Sequence, residues 1–389
     1  MSVPLYTRDF ATACVIHLAG ALSLTMWFLL PLYLARIGAS EATIGALIGL
    51  ATAASVAVRP LVGVLLDRVG PRRVLLAGGV LNGLSWLPFI GIGAVGPWLF
   101  LWTVLHAIVG GGLFTSYFTY AARLSPPSRR AEGIAVFGVA GMAANGIGPF
   151  VGEIILERAG APGFFGTAAV LAFVATAITL LVPPTAGEPV VHDGSWAAGI
   201  RTALRHPGLG RVLVATVVLG LGINAAYFFV APWVHGLGLA RAGPFFAAYS
   251  ATSVVIRLFG RRTLDDLGAH RVSVPAFAVF AAGLIGLAFL PAAGLMVACG
   301  IACGAGHGTL FPVLNALATH RVPAGMQGTA VSLQTAAVDL GAVVGTPICG
   351  ALAEVAGYPA MFWTMALACV AGSWLVWSDP VRDRAVLAA

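Results

Sequence analysis

The chain has 389 residues, 59% of them hydrophobic and only 9% charged, with a mean hydropathy of +0.95, where an ordinary soluble domain carries about 25% charged residues. This excludes a soluble globular protein and points to one whose main solvent is lipid. The net charge of +7 rests on 21 basic residues, all arginine, gathered between apolar runs; that placement argues for membrane topology rather than nucleic-acid binding.

A hydrocarbon core about 30 Å thick needs roughly 20 apolar residues at about 1.5 Å rise each. Twelve such runs follow in order: 10–35, 42–66, 73–94, 98–122, 132–155, 163–182, 209–234, 242–260, 272–291, 295–319, 328–352 and 358–377. Helices are expected because each satisfies its own backbone in lipid, whereas a barrel would show short alternating segments. The first run has no small-residue cleavage site, so it is expected to stay as a helix. With the N-terminus inside, all arginines except Arg36, Arg158 and Arg241 fall on one side. Both termini are therefore expected in the cytoplasm, and the chain in a bacterial-type inner membrane.

Between the second and third runs stands "GVLLDRVGPRRV", Gly63 to Val74. Gly63 is expected to let a neighbouring helix approach and Gly70 to permit a tight turn. Arg68, Arg72 and Arg73 prefer the inner face, and Asp67 suits the positive end of a helix dipole. In the fifth run, "GIGPFVGEI" places Gly148, Pro149 and Gly152 where they allow bending and close packing. After the sixth run, prolines and polar residues over 183–208 read as a linker. Within it Trp196, Ile200 and Leu204 recur every four residues beside Arg201 and Arg205, which suits either a short helix on the membrane surface or a solvated connection.

The second half repeats the first. A shift of 198 positions lays Arg59 on Arg257, Asp67 on Asp265, Gly70 on Gly268, Arg73 on Arg271, Pro149 on Pro347 and Gly152 on Gly350. The expected organisation is two pseudo-symmetric six-helix bundles, 1–182 and 209–389, an architecture for alternating access around a midplane site.

A charge at the centre of a membrane helix costs about 2.5–3.5 kcal/mol on insertion scales, so those present invite a role. Asp339 lies near mid-depth of the eleventh run and can take and release a proton as its exposure changes; a hydrogen bond to a neighbouring helix is the alternative. Glu153, near the outer end of the fifth run, is either a proton access point or a group that snorkels outward. His17, His106 and His307 are intramembrane; histidine titrates near neutral pH, though a lone one is as a rule a neutral core residue. His106 and His307 stand in corresponding runs of the two halves. Cys14, Cys299, Cys303, Cys349 and Cys369 read as small buried side chains without a metal set. No GxxxxGK[ST] phosphate loop is present, and none is possible without lysine.

The loop from Gly63 to Arg73 resembles the signature between helices 2 and 3 of the major facilitator superfamily, and "RRTLDDLGAHR", Arg261 to Arg271, is similar to its second copy, keeping Asp265, Gly268 and Arg271. The stretch from Gly146 to Ile154 resembles the helix 5 motif of exporters in that superfamily, with Glu153 where a further glycine is usual. In the fourth run, His106 or Thr103 stands where many relatives carry an arginine. The resemblance covers the whole chain and implies an all-α membrane protein of twelve transmembrane helices. It implies that Asp67 faces the start of helix 11, near Gln327 and Gly328, as part of a gate. It also implies that helices 1, 4, 7 and 10 line a cavity, with 5, 8 and 11 close by. Trp27, Tyr33, Tyr117, Asn145, Asn224, Tyr227, Phe228, Trp233, Asn315 and Gln334 are then the cavity candidates, a set suited to a small amphipathic molecule. Helices 1, 4, 7, 10 and 11 carry no mid-depth arginine, which weighs against phosphates and polycarboxylates as substrates.

The expected activity is proton-coupled antiport exporting small organic molecules, with no enzyme chemistry, no metal, no cofactor beyond the proton gradient, a small-molecule substrate and the lipid bilayer as partners, no nucleic acid, and a monomeric state. An uptake symporter or uniporter is the alternative. A transport-inactive sensor is the remote one, since the sequence offers no extended soluble domain.

Overall fold

A computed structural model describes residues 5–126, 129–182, 184, 196–259, 269–290, 293–323 and 326–379. Among them there is helix and connecting chain but no strand. In order the helices are α1 (Arg8–Arg36), α2 (Glu41–Val69), α3 (Pro71–Ile90), α4 (Pro97–Leu124), α5 (Arg130–Arg158) and α6 (Gly160–Thr179). They continue with α7 (Trp196–Leu204), α8 (Leu209–Gly236), α9 (Gly243–Phe259), α10 (Ala269–Ala288), α11 (Ala293–His320) and α12 (Gln327–Trp377).

The 51 residues of α12 would span roughly 77 Å if straight, far beyond one hydrocarbon core. Gly357, at φ 82°, breaks it into two limbs. Counted so, each of the twelve apolar runs has its helix, and α7 stands apart as the short one in the connection. Large apolar side chains such as Leu61, Val170, Leu367 and Trp374 lie exposed on these helices, as lipid contact requires.

Local chemistry explains the breaks. Thr7 Oγ1 accepts from Phe10 N–H at 3.2 Å and opens α1, with Asp9 in its first turn. Pro31 has no N–H to return to Trp27, and α1 tightens into a 3₁₀ turn at Met26–Leu29 just before it. α1 and α8 close with the same cap. Gly38 N–H donates to Ala35 O at 3.1 Å and Ala39 N–H to Leu34 O at 3.0 Å; Gly238 N–H donates to His235 O at 3.0 Å and Leu239 N–H to Val234 O at 3.1 Å. The chain reverses after α5 at Gly160, φ 64°, as it does in α12 at Gly357, each glycine followed two residues later by a proline, Pro162 and Pro359. A side chain is disfavoured at these left-handed positions.

The helices form two compact units, one of Met1–Ala39 with Leu50–Val190 and one of Ser40–Gly49 with Val191–Ala389. In the first unit α1 packs on α5 and α6, and α3 on α4 and α6. Phe10, Tyr117, Tyr120 and Phe137 are among its core. The signature loop sits at the α2–α3 turn: Gly70 has φ 83°, and Pro71 starts α3. Arg72 Nη2 donates to Leu180 O at 3.0 Å, capping α6, and Arg123 Nη2 meets Asp67 Oδ1 at 3.3 Å, tying the end of α2 to that of α4. Gly63 departs from expectation: among the described residues a Cβ there would meet nothing within 4 Å. The close approach is made from the other side, where a Cβ on Gly111 of α4 would stand 2.6 Å from Ser55 O and one on Gly112 3.2 Å from Val62. Asp265 and Gly268 lie outside the described residues, and Arg271 is exposed near the start of α10.

The helix 5 motif forms the seam with α1. A Cβ on Gly148 would overlap Thr25 Oγ1, and one on Gly152 would lie 3.1 Å from both Leu29 and Phe164. The motif therefore seats α5 against the 3₁₀ turn of α1. Gly148→Ala is expected to lose about 1–3 kcal/mol by overpacking, while Gly63→Ala, inside a helix with room for its methyl, should hold or raise the melting temperature. Equal melting shifts for the two variants would contradict this packing.

In the second unit α8 packs on α12, α10 on α11 and α12, and α9 on α11. Gly220 and Gly341 bring α8 and α12 into backbone contact: a Cβ on Gly341 would lie 2.7 Å from Gly220 Cα and would overlap Val217 O. Ser40–Gly49 belongs here because a Cβ on Gly45 would lie 2.9 Å from Gly350 Cα of α12. Glu354 accepts from Ala42 N–H at 2.8 Å, which caps the start of α2. Cys303 and Cys299 fill the space left by Gly283 and Gly286 of α10, and all five cysteines are free. α7 packs on α8 and α12 with Ala203 buried and Arg201, Thr202 and Leu204 exposed. At its far end α12 is held by Arg211, whose Nη1 donates to Ser378 O at 2.7 Å, and by Arg321, which meets Asp379 Oδ2 at 2.7 Å.

Candidate functional site

Each unit contains a buried polar cluster built around a histidine. In the first, His106 comes from the middle of α4, where a polar side chain is tolerated only with partners. Its Nδ1 lies 2.8 Å from Ser85 Oγ of α3, and that hydroxyl also lies 2.8 Å from Asn82 O. Trp27 stacks on the imidazole at 4.7 Å between centroids, and Trp86 lies tilted against it at 4.1 Å. The Trp86 ring N–H donates to Ser23 Oγ at 3.0 Å and the Asn82 amide to the same oxygen at 3.2 Å, while Ser23 donates to Ala168 O at 2.8 Å. Asn82 Oδ1 and Thr103 Oγ1 remain buried without a hydrogen-bond partner. The imidazole is thus packed against two indole rings, and Ser85 engages its Nδ1.

In the second unit His307, at mid-length of α11, places Nδ1 2.9 Å from Tyr249 Oη of α9. Tyr227 of α8 packs on Tyr249 at 4.9 Å. One turn along α11, Phe311 carries the Arg257 guanidinium over its ring at 5.2 Å. A further turn along, Asn315 Nδ2 donates to Gln334 Oε1 of α12 at 3.4 Å. The first unit has an equivalent of the arginine–aromatic pair in Arg59 over Phe114 at 5.6 Å.

The predicted residues divide between these clusters and packing positions. Trp27 and His106 meet in the first unit, and Tyr227, His307, Asn315 and Gln334 gather along α8, α11 and α12 in the second. Tyr117 instead lies in the core beside His17, whose Nδ1 is 3.0 Å from Phe137 O. The Tyr33 hydroxyl donates to Ile92 O, and the Trp233 ring N–H donates to Leu287 O at 2.9 Å. Asn224 turns its amide onto Gly220 O at 2.7 Å. Phe228 is buried, Asn145 is half-buried, and Asp339 is half-buried with an interaction partner. Glu153 is fully buried with a partner, so the snorkelling alternative is not realised. A groove of about 500 Å³ at the α3–α4 turn, lined by Pro88, Ile92, Trp98 and Trp102 among others, contains none of the predicted residues.

Sequence reasoning passed over Asn82, Ser85 and Trp86 in the third run and Tyr249 and Arg257 in the eighth. The available signals were the three-residue spacing of Asn82 and Ser85 and the arginine inside "SVVIRLFG", noticed only as a repeat marker.

A family model described as Major Facilitator Superfamily matches residues 12–300 and, in an overlapping second match, 245–388. The chain belongs to the Major Facilitator Superfamily. An uncharacterized MFS-type transporter of Burkholderia pseudomallei (strain 1106a) is 26% identical over 347 residues, covering 87% of this chain and 83% of that one. One of Salmonella typhimurium is 26% identical over 361 residues, 90% of each. The crystal structure of a mutant of the nucleoside transporter NupG superposes with a TM-score of 0.83 at 13% identity, covering 96% of this chain and all of that one, which shows the shared fold. This major facilitator is a multi-pass membrane transporter.

Proposed function

We propose that this major facilitator is a proton-coupled antiporter that exports a small amphipathic organic molecule across the inner membrane by alternating access. The observation that carries the reading is the pairing of His106 with Ser85 between two indole rings in the first unit, echoed by the pairing of His307 with Tyr249 in the second. Each unit thus holds a titratable group at the middle of an apolar helix, beside aromatic and amide side chains suited to an organic solute. Asp339 adds a carboxyl in the first limb of α12. The proton gradient supplies the energy, no cofactor takes part, and one chain, with both termini in the cytoplasm, suffices. Export is favoured by the α5 motif, whose glycines seat that helix on the 3₁₀ turn of α1. Asp67 and the arginines of its loop act as the gate.

Uptake is the second reading, supported by the end-to-end fold similarity to a protein named as a nucleoside transporter. Reconstitution in liposomes with a pH-sensitive dye inside and an imposed pH gradient separates the two. Solute-dependent proton movement opposite to the solute marks antiport, and movement with it marks symport. Asp339→Asn is expected to abolish proton-driven flux while leaving solute exchange; undiminished pH-driven flux would remove Asp339 from the mechanism.

A further inference from the structure

We infer that the second unit holds a binding site for the anionic group of an organic acid, with Arg257 as its anchor; the inference deepens the transporter reading above and rests on it. The site is organised by one stripe of α11, on which His307, Phe311 and Asn315 follow at intervals of four residues and so share a face. Arg257 reaches this stripe from α9 and lies over Phe311, close enough to act electrostatically on His307, Tyr249 and Tyr227. Its Nε is buried and makes no hydrogen bond, and no carboxylate among the described residues pairs with the guanidinium.

A second unused donor lies at the next turn. Gln334 is fully buried, its Oε1 is taken by Asn315, and its Nε2 has no partner. Two buried donors are thus left open within two turns of the same stripe, one of them a cation. A buried donor without an acceptor costs free energy unless something supplies one. A carboxylate fits: its two oxygens accept in bidentate fashion from a guanidinium fork, and a remaining lone pair can accept from an amide. Phe311, Tyr249 and Tyr227 offer apolar faces beside it, so an aromatic or aliphatic carboxylic acid is the solute class, and a phosphate ester the nearest chemical relative.

The test is equilibrium binding to the detergent-purified full chain, read by thermal shift and calorimetry. The probes are benzoate, hexanoate and phenyl phosphate, each set against a neutral partner: benzamide, hexanamide and phenol. The anions are expected to bind and the neutral partners not. Arg257→Gln should weaken anion binding about ten- to a hundredfold, and Arg257→Lys, which keeps the charge but loses the fork, should fall between. Melting curves without solute identify a variant that has failed to fold, and Gln334→Leu, which removes the second donor, then carries the test with a smaller loss. Anion affinity unchanged in both Arg257→Gln and Gln334→Leu, neutral probes binding as well as anions, or a wild-type chain silent to every anion overturns the site. Anion binding that depends on Arg257 without flux in liposomes keeps the site and defeats the transport reading of it; flux of neutral solutes indifferent to Arg257 does the reverse.

Discussion

Asp379→Ala is expected to destabilise the second unit by about 3–5 kcal/mol, the range for breaking one side of a buried ion pair. Asp379 Oδ2 lies 2.7 Å from Arg321 Nη2, and the two side chains are only 1% and 7% exposed. Removing the carboxylate takes from a buried guanidinium the acid that lies 2.7 Å away, and losing one side of a buried pair costs more than the contact itself stabilises. The double variant Arg321→Met, Asp379→Leu isolates this cause. It removes both charges, and an apolar replacement of a buried pair is often neutral or stabilising by about 1–4 kcal/mol. A melting temperature depressed in Asp379→Ala and restored in the double variant is the expected pattern. Depression of equal size in both would mean that the pair matters through its shape and its further contacts rather than its charge.

The second large effect lies where α8 meets α12. A Cβ at Gly341 would stand 2.7 Å from Gly220 Cα and overlap Val217 O, and a Cβ at Gly220 would lie 2.5 Å from Val338 O. The obstacles are backbone atoms on both sides, so no rotamer change relieves them and the helices must part. Gly341→Val is expected to cost at least the upper end of the usual overpacking range, about 3 kcal/mol, and to abolish a monodisperse peak in size-exclusion chromatography. Gly166→Val in α6 is the control, because none of the described residues lies within 4 Å of a Cβ there. Normal behaviour of Gly341→Val would show that the contact between α8 and α12 is not required for the fold.

The spans were legible in the sequence because lipid imposes a composition that any window of about 20 residues reveals. So was the turn at Gly70, since a positive φ selects glycine locally. The role expected of Gly63 was not met, because close approach depends on which helix comes near, and the smallness needed between α2 and α4 is supplied by Gly111 and Gly112. The same limit holds for the polar residues. His106 stood out as a histidine in an apolar run, but its partner Ser85 and the indole of Trp86 come from another helix at a sequence distance that no periodicity signals. Tyr33 and Trp233 looked like cavity walls, yet their polar tips are committed to the backbone carbonyls of Ile92 and Leu287. Arg257 is the reverse case: an arginine that the sequence offers only as a marker of the repeat lies over Phe311 of α11 once α9 is folded.

The reversals at Gly160 and Gly357 carry a mechanical consequence. A connection of ten residues is slack and lets two helices travel independently; a reversal centred on one glycine and stiffened by a proline two residues on stores no slack. In each unit the last two membrane crossings are therefore geared together. A tilt of the first limb of α12, which bears Asp339 and Gln334, is handed directly to the limb beyond Gly357, so whatever acts on those two side chains is felt across the full length of that hairpin.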